Sequence, residues 1–545
     1  MTMAPSDADA RFDRTIDRWF RDQLQMRPET ATFFGLHDQD SELSHGGRDA
    51  IDEEIAFYER TIEELAAIDG EELSADRAID RDLAIHQARL RHFWLTEYRP
   101  WTGSSEAAGH IGEALFPLFT RDFAPLPERL GSIADRLEKA PGFLRETRER
   151  VTDPVPLWVE IDLETTEQMP GFLDVILAAG RSEAGDDTAL IARLSAAADA
   201  TKVALAEHAA WLRDEVLPGA DAGWSAGPDR FEEMLRLREL DADGDEILAV
   251  GEELLASEKA ARDALGSEIE PGASHEEIRD IVKNNHAATF AESLGEYRAS
   301  MDAARAFVVG HGIATLPEED HLNVIETPSF IRHLIPFAAY YRPARFDPTP
   351  VGTYIVTPPS SSEMMREHNR AAISNTSVHE AYPGHHLQLS AAMTNPSLVR
   401  LFDDSPEFDE GWAFYCERMM KEAGFDDTPT GWYVVHTDAI WRATRIILDV
   451  GLHRGLIGFD DAVERLMSET GFERPAAVAE VKRYTSTPTY QLSYLFGRHL
   501  VERLRADVER HEGAAFDRRR FHDTLIYGGT MPVTYARRQF DLDGR

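Results

Sequence analysis

The sequence predicts a mostly α-helical protein with a small β-hairpin or short sheet in its second half. In the first 300 residues, apolar side chains recur at three- and four-residue spacing, as in "DEEIAFYERTIEELAAI" from Asp52. The stretch 339–359, "AYYRPARFDPTPVGTYIVTPP", differs because prolines surround a run of β-favouring residues. At 545 residues, the chain exceeds the roughly 250–300 residues at which one hydrophobic core stops growing.

The helical pattern divides the chain into two parts. Residues 1–310 form a predicted N-terminal helical body, in which the segment 127–151 is expected to break at Pro141 and Gly142. Residues 311–545 form the second half, where helical spacing returns at Ser377 and continues to about residue 510. Because no low-complexity linker separates the parts, we expect one integrated two-lobed unit with its chemistry in the second half.

The net charge of −41 limits the classes of partner. Acidic residues are spread along the chain, and 6 of its 57 basic residues are lysine. An acidic surface poor in lysine predicts a halophilic protein, because counter-ions in high salt screen self-repulsion; the alternative is an acidic protein from a GC-rich genome. Both interpretations disfavour nucleic acid and membranes as partners, and the oligomeric state is not predicted.

The chain carries no sequence signal for export or membrane insertion. No run approaches the roughly 18 uninterrupted apolar residues of a membrane span. The first 20 residues are acidic and lack the basic and apolar regions of a secretory signal. The single cysteine, Cys416, excludes an internal disulfide. These observations predict a cytoplasmic protein.

A candidate metal site begins in "NTSVHEAYPGHHLQLS", residues 375–390. His379 and Glu380 have the order of a zinc-hydrolase motif, but Pro383 stands where a second histidine would lie one turn later. Pro383 has no N–H to donate to the carbonyl of His379, so we expect a widened turn or π-type bulge together with Gly384. The departure from the ordinary motif therefore indicates a changed helix geometry.

Two residues compete for the place of the second ligand. Two additional residues in a widened turn bring His385 to that place, which favours it over His386. A purely structural interpretation is also open, in which Ser377 as N-cap and Glu380 at the third helical position form a capping box. Histidines beside a Pro-Gly break can also be ordinary polar loop residues.

A second segment, "FDEGWAFYCERMM", residues 408–420, offers the remaining ligand. Glu410 begins an aromatic helical stretch about 25 residues after His385, and a carboxylate from a following helix is the usual third ligand of such a zinc site. Glu417 falls on the same helix face, where it can accept a hydrogen bond from a ligand histidine. The aromatic stripe alone indicates core packing; combined with the histidines, it favours a metal site.

These segments resemble known families. "EGWAFYCE" resembles the "NEGxxxYxE" segment of aminopeptidase N-type zinc peptidases, with Asp409 in place of the asparagine. "HEAYPGHHLQ", "EGWAFYCE", "RIILDVGLH" and "RYTSTPTYQLSYLFGRH" together resemble a widespread prokaryotic family known as domain of unknown function 885, which is grouped with the gluzincin metallopeptidases. The resemblance covers the C-terminal half clearly and implies a large helical zinc-peptidase-like fold, without implying a substrate.

The resemblance also implies roles for the candidate residues. His379, His385 and Glu410 would bind Zn²⁺, which leaves a position for water. Glu380 would be the general base that takes a proton from this water and passes it to the leaving amine. His386 would then face the substrate or support a ligand.

Further side chains are candidates for contacts with the substrate. Tyr490 and Tyr494, with Tyr484 as a third option, can donate to an oxyanion. Arg442 and His453 are candidate substrate-binding residues, and an arginine at this place can bind a substrate carboxylate and give carboxypeptidase or dipeptidase behaviour. The strand "VGTYIV" provides either an edge for an extended peptide or an ordinary core hairpin.

The sequence therefore predicts a zinc-dependent peptidase that hydrolyses short peptides, because helical walls around a deep site exclude folded proteins. One alternative is a metal-dependent amidase or esterase that acts on a non-peptide substrate. Another is a catalytically inactive peptide-binding protein, for which Pro383 is the best argument. The presence of Glu380, which metal binding does not require, argues against this last alternative.

Overall fold

The fold is mostly helical, as predicted. The computed structural model describes residues 7–327, 332, 335, 338–359, 361–540 and 542. It is 73% helix and 3% strand, and the strands form a small three-stranded sheet, which confirms the predicted fold class. Among the described residues, no helix has both the length and the apolar character that crossing a membrane requires.

The chain divides into two compact units. The first comprises Met1–Trp224 and Ala344–Pro350, and the second comprises Ser225–Pro343 and Val351–Arg545. All candidate site residues belong to the second unit. The division predicted after residue 310 stays a prediction.

The first unit is built from helices whose apolar faces are buried, for example at Leu65, Leu83 and Leu115. The predicted break at Pro141 is wrong, because one helix continues through this residue. A proline inside a helix removes one backbone hydrogen bond, and burial of the adjacent helical faces offsets that loss. The helices are α1 (Asp7–Met26), α2 (Pro28–Phe34), α3 (Arg48–Ala66), α4 (Ala75–Phe93), α5 (Ala107–Thr120), α6 (Leu126–Arg148), α7 (Pro156–Glu183) and α8 (Thr188–Trp211).

The second unit contains the helices that position the site. They are α9 (Pro228–Leu237), α10 (Gly244–Ile269), α11 (His275–Lys283), α12 (Phe290–Gly310), α13 (Ser362–Met365), α14 (Arg370–Glu380), α15 (His385–Ala392), α16 (Leu398–Phe402), α17 (Pro406–Glu422), α18 (Pro429–His453), α19 (Phe459–Thr470), α20 (Arg474–Ser486), α21 (Leu495–Glu512), α22 (Arg518–Tyr527) and α23 (Val533–Ala536). Helix α10 packs along α18, and α17 packs along α21. Helix α14 contacts α12, α17 and α18, so the histidine-glutamate pair lies among the central helices.

The small sheet also belongs to the second unit. It consists of β1 (Leu322–Glu326), β2 (Ala338–Tyr341) and β3 (Gly352–Val356), with β3 in the centre, parallel to β1 and antiparallel to β2. The predicted "TYIV" strand is therefore confirmed. The hypothesis that it provides a free edge is wrong, because both of its edges are paired. Tyr354 is the direct cross-strand partner of Tyr340, so the two side chains share one face of the sheet.

Two glycines let α17 and α21 approach closely. A Cβ at Gly411 would lie 2.5 Å from the carbonyl carbon of Gly497, and a Cβ at Gly497 would lie 2.3 Å from the carbonyl oxygen of Glu407. Because backbone atoms cannot rotate away as side chains can, a larger residue does not fit at either position. This close crossing fixes α17, which carries Glu410, against α21.

Replacing Gly497 with alanine should destabilise the second unit, because the added Cβ forces α17 and α21 apart. We expect the free energy of unfolding, measured by urea denaturation, to fall by about 1–3 kcal/mol. Gly295→Ala is the matched control, since Gly295 lies in α12 with open space around the added Cβ. It should be neutral or stabilise by up to about 1 kcal/mol. Equal stabilities of the two variants would contradict the close-packing interpretation.

Candidate metal centre

The helix that carries the histidine-glutamate pair is broken close to Pro383. Helix α14 ends at Glu380, and α15 begins at His385. Between them, the backbone N–H of Gly384 donates to the carbonyl of Val378 over 3.0 Å. This bond reaches back six residues instead of four, so the turn is widened as predicted, and the helix ends within it.

The capping-box interpretation of Ser377 is wrong. Ser377 lies inside α14, and its hydroxyl donates to the carbonyl of Ile373 over 2.7 Å. The N-cap of this helix is Asn369, whose side chain accepts from the backbone N–H of Ala372. Glu380 is therefore the last residue of the helix, and capping does not explain its presence.

Two contacts fix the chain at the break. A Cβ at Gly384 would lie 1.9 Å from the carbonyl oxygen of His379, so a residue with a side chain does not fit. The indole N–H of Trp412, on α17, donates to the carbonyl of Pro383 over 2.8 Å. The break is thus bonded to the helix that carries Glu410.

The break and α17 bring three side chains together. Ligand atoms of His379, His385 and Glu410 lie within 4.8 Å of one another and form a group that can hold a metal ion. Oε2 of Glu410 is 3.5 Å from Nε2 of His379 and 3.3 Å from Nε2 of His385. Since the side chains of His379, His385 and Glu410 are 13%, 12% and 18% exposed, the cluster is recessed but accessible to small molecules.

The spacing of these atoms fits a zinc ion. Tetrahedral bonds of about 2.0–2.1 Å place neighbouring ligand atoms about 3.3 Å apart. Oε2 of Glu410 is buried and has no hydrogen-bond partner among the described residues. Burying a carboxylate oxygen without a hydrogen bond costs free energy, and a cation between the three ligand atoms would offset this cost. Two histidines and one glutamate are also a known ligand set of catalytic zinc sites.

Glu417 orients the first candidate ligand, as predicted. Nδ1 of His379 donates to Oε1 of Glu417 over 2.7 Å, so Nε2 is the ring nitrogen that would bind a metal. Asn375, one turn earlier in α14, donates from Nδ2 to Oε2 of Glu417 over 2.8 Å. The same amide nitrogen lies 3.3 Å from Oδ2 of Asp438 on α18. The imidazole is therefore supported by a network of buried polar groups from three helices.

One face of α17 supplies much of this arrangement. Glu410, Phe414 and Glu417 follow each other at four- and three-residue spacing and so lie along one side of the helix. The ring centre of Phe414 is 6.2 Å from that of His379. A candidate ligand, a wall of the cluster and the acceptor for a ligand histidine thus all come from the "EGWAFYCE" segment.

Carboxylates around the cluster favour positive charge at its centre. Burial opposes protonation of His379, but the carboxylates of Glu410 and Glu417 outweigh it and raise the pKa of this imidazole well above its usual value. Burial opposes ionisation of Glu410, but the neighbouring imidazoles outweigh it and lower the pKa of this carboxyl group. Burial raises the pKa of Asp438 and that of Asp409 to about 6.

Glu380 is half-buried, and its carboxylate makes no hydrogen bond among the described residues. The effect of its charge on neighbouring titratable groups shows which residues lie near the Glu380 carboxylate. Burial and then the negative charge of Glu380 raise the pKa of Tyr297, on α12. The charge of Glu380 also contributes, after burial and Tyr297, to the raised pKa of Tyr354, on β3. Since its charge acts on His379 and His385 as well, the carboxylate is near both the ligand cluster and these two buried tyrosines.

His386 lies in a separate network beside the cluster. Its side chain is fully buried, with Nε2 3.0 Å from Oδ1 of Asp320 and Nδ1 3.0 Å from the hydroxyl of Tyr340. The hydroxyl of Tyr382 donates to Oδ1 of Asp320 over 2.8 Å, and Nε of Arg305 donates to Oδ2 over 2.8 Å. Because both ring nitrogens of His386 are occupied, neither is available to a metal or a substrate. The network fixes Tyr382, within the break, and His386, at the start of α15, to the same carboxylate of Asp320.

The two predicted tyrosines lie close to the cluster. The hydroxyls of Tyr490 and Tyr494 are 3.5 Å apart. Burial first, then Tyr494 and the negative charge of Glu410, raise the pKa of Tyr490, so its hydroxyl keeps its proton and can donate it to a hydrogen bond. Tyr484, the third option, is fully buried, and its hydroxyl donates to Glu480 over 2.7 Å. It is therefore already engaged.

Arg442 lies beside the cluster, whereas His453 does not contact it. The guanidinium of Arg442 is 5.6 Å from the ring centre of Phe414, which borders the ligand cluster. His453 is completely buried, its Nε2 is 3.0 Å from the carbonyl oxygen of Tyr484, and its Nδ1 accepts from the backbone N–H of Ala226 over 3.3 Å. Backbone groups thus occupy both ring nitrogens of His453, and the structure offers no support for its predicted contact with a substrate.

Sequence reasoning missed three polar residues of the site. Asn375 and Asp438 complete the network behind Glu417, and Asp320 holds the break. The spacing of Asn375 offered a signal, because it precedes His379 by four residues and so lies on the same helix face. Asp320 and Asp438 come from segments distant in sequence, and no local pattern indicates them.

The fold and the cluster together define a mostly helical protein with a candidate two-histidine, one-glutamate metal centre. Residues 28–540 match the family described as "Bacterial protein of unknown function (DUF885)". The chain therefore belongs to this family, which confirms the prediction from its motifs. No curated protein matches the chain.

The fold is shared with the solved structures of two other proteins. A candidate lipoprotein of unknown function from Shewanella oneidensis is 24% identical, over 96% of this chain and 98% of that one, with a TM-score of 0.78. A candidate lipoprotein from Colwellia psychrerythraea is 17% identical, over 99% of this chain and 100% of that one, with a TM-score of 0.83. These similarities show the fold. The cytoplasmic location of the present chain stays a prediction.

His385→Gln should lose bound zinc, whereas His386→Gln should retain it. Of these two imidazoles, that of His385 points a nitrogen at Glu410, whereas a glutamine amide at position 386 can still donate to Asp320. The zinc content of each purified, untagged protein, measured by elemental analysis, checks this expectation. The reverse pattern in two folded variants would show that His386 is the second ligand.

Glu417→Gln should lower the affinity for zinc by about 10- to 100-fold, because His379 loses its charged acceptor. Competition with a chelator of known affinity measures the change. Glu422→Gln is the matched control on the same helix, since Glu422 is near the surface, where it pairs with Arg418. Identical zinc affinities in the two variants would contradict the orienting role of Glu417.

Proposed function

We propose that this protein is a zinc-dependent metallopeptidase that hydrolyses short peptides. The observation that carries the proposal is the buried Oε2 of Glu410, which has no hydrogen-bond partner among the described residues and lies 3.3 and 3.5 Å from imidazole nitrogens of His385 and His379. The resemblance of "EGWAFYCE" to the "NEGxxxYxE" segment of aminopeptidase N-type zinc peptidases supports the same assignment. The recessed position of the three side chains supports a small substrate.

The residues around the cluster have the properties that peptide hydrolysis requires. Bound zinc would polarise the scissile carbonyl and lower the pKa of a water molecule toward about 7. The carboxylate of Glu380 forms no hydrogen bond with a described residue, so it is available to act as a base. It takes the proton of the attacking water and delivers it to the leaving amine. Tyr490 remains protonated and donates a hydrogen bond to the developing oxyanion, with Tyr494 beside it.

Glu380→Gln should retain zinc but lower kcat by roughly 10²- to 10⁴-fold, because the amide cannot accept the proton of the water. Depletion of a mixed library of di- and tripeptides, followed by mass spectrometry, measures turnover, and elemental analysis measures zinc. Glu422→Gln serves as the control with unchanged turnover. Removal of the metal with a chelator should abolish hydrolysis, and added zinc should restore it.

Each alternative function gives a different result in these measurements. Undiminished turnover by Glu380→Gln would refute the assignment of the general base. A purified protein with no zinc, and no activation by divalent metals, would favour the peptide-binding protein. Zinc-dependent hydrolysis of esters or non-peptide amides, with peptides left intact, would favour the amidase or esterase.

A further inference from the structure

We propose that Arg442 binds the free C-terminal carboxylate of the substrate, so that the protein acts as a carboxypeptidase or dipeptidase. This inference rests on the proposed peptidase function and names its substrate class. It depends on how the arginine is held, on the absence of an ion pair between it and any described residue, and on its position relative to the ligand cluster.

Aromatic rings hold the guanidinium of Arg442 in place. Its central carbon lies 3.8 Å from the ring centre of Trp441, and 5.6 Å from those of Phe414 and Tyr494. Such ring contacts stabilise a cation and restrict its motion without using its hydrogen-bond donors. The side chain is therefore fixed before a ligand arrives, which lowers the entropic cost of binding.

The donors of Arg442 remain unused. Nε and Nη1 are buried without a hydrogen-bond partner, and the guanidinium forms no ion pair with a described residue. This is unusual in a chain with 98 acidic and 57 basic residues. Buried arginines elsewhere in the second unit do form ion pairs, Arg238 with Glu407 and Arg498 with Glu258. An anion from outside the protein would supply the missing partner of Arg442.

Arg445 adds a second positive charge to the same place. Its guanidinium is buried, lies 4.3 Å from the ring centre of Tyr494, and donates from Nη2 to Gln491 over 2.7 Å. Its Nε has no hydrogen-bond partner, and it too forms no ion pair among the described residues. Tyr494 therefore contacts two cations, and the surroundings of its ring attract negative charge.

A single phenyl ring lies between the arginine and the ligand cluster, so the end of a short peptide can reach both. Phe414 contacts both the guanidinium of Arg442 and the ring of His379. Asp438, one helical turn before Arg442, is affected by the charges of both Arg442 and His379. Because one residue spans at most about 3.6 Å, the last residues of a short peptide bound at the cluster can bring their terminal carboxylate to this arginine.

The surrounding charges favour a terminal carboxylate over other substrate groups. The guanidinium repels a free N-terminal amine, which argues against an aminopeptidase. Asp438, Glu417 and Glu410 nearby disfavour a ligand with several negative charges, such as a phosphate. The planar fork of an arginine matches a carboxylate, and charge-assisted bonds of this kind are strong.

The test compares one mixed library of di- and tripeptides made with free C-terminal carboxylates and again with C-terminal amides. The wild-type protein should have a kcat/KM about tenfold or more higher for the acids than for the amides. In Arg442→Met this acid-to-amide ratio should fall toward one, and Arg442→Lys should give an intermediate ratio, because it keeps the charge and loses the fork. Arg418→Met, which removes an exposed arginine from α17, should keep the wild-type ratio.

A binding measurement separates failure of this inference from failure of the peptidase proposal. The Glu380→Gln protein is mixed with both libraries, and the retained peptides are identified by ultrafiltration and mass spectrometry. Retention of acids over amides, lost when Arg442→Met is added, supports the carboxylate site even if the wild-type protein hydrolyses nothing. Equal retention of acids and amides, or no retention, overturns it, as does a wild-type protein that cleaves both libraries equally.

Discussion

The carbonyl oxygen of His379 leaves no room for a side chain at Gly384, and the geometry of the candidate site depends on this close approach. The chain can pass so near only where a glycine follows the end of α14. As a result, His379 and His385 belong to two helices on either side of the break, and nitrogen atoms of both rings approach the same carboxylate oxygen of Glu410. An unbroken helix would place the two rings on different sides of its axis.

The break by itself would not be rigid, and α17 supplies the support. Trp412 bonds the carbonyl of Pro383, while Glu410 and Glu417 from the same helix contact the histidines. The helix is in turn fixed by its glycine crossing with α21, where Gly411 meets Gly497. A metal site needs its ligands positioned within fractions of an ångström, and a chain of direct contacts between packed helices meets that requirement.

The distribution of charge gives the site two different sides. Carboxylates surround the imidazoles, so a cation is favoured there, whereas Arg442 and Arg445 surround Tyr494, so an anion is favoured there. A short peptide with its reacting carbonyl at the first side and a negative group at the second would bind in one orientation. The strongly acidic composition of the chain makes these arginines more informative, because carboxylates are abundant and yet none of the described ones forms an ion pair with Arg442 or Arg445.

The sequence by itself determined the features that depend on residues close to each other in the chain. Helical periodicity indicated the fold class, Pro383 and Gly384 indicated a widened turn, and "EGWAFYCE" placed Glu410 and Glu417 on one face. The family also followed from these motifs. Even so, local patterns misled at Pro141, where packing of the flanking turns maintains a helix that the proline alone would interrupt.

Tertiary structure decided the features that depend on how distant helices cross. It distinguished the two adjacent histidines: a ring nitrogen of His385 faces Glu410, whereas both ring nitrogens of His386 are hydrogen-bonded, to Asp320 and Tyr340. It also placed Asp438 behind Glu417 and buried His453 among backbone groups. Helical spacing specifies the face on which a side chain lies, but not which other helix that face meets. Contacts between helices that are distant in sequence are set by packing across the whole unit, and for this reason only the tertiary structure revealed them.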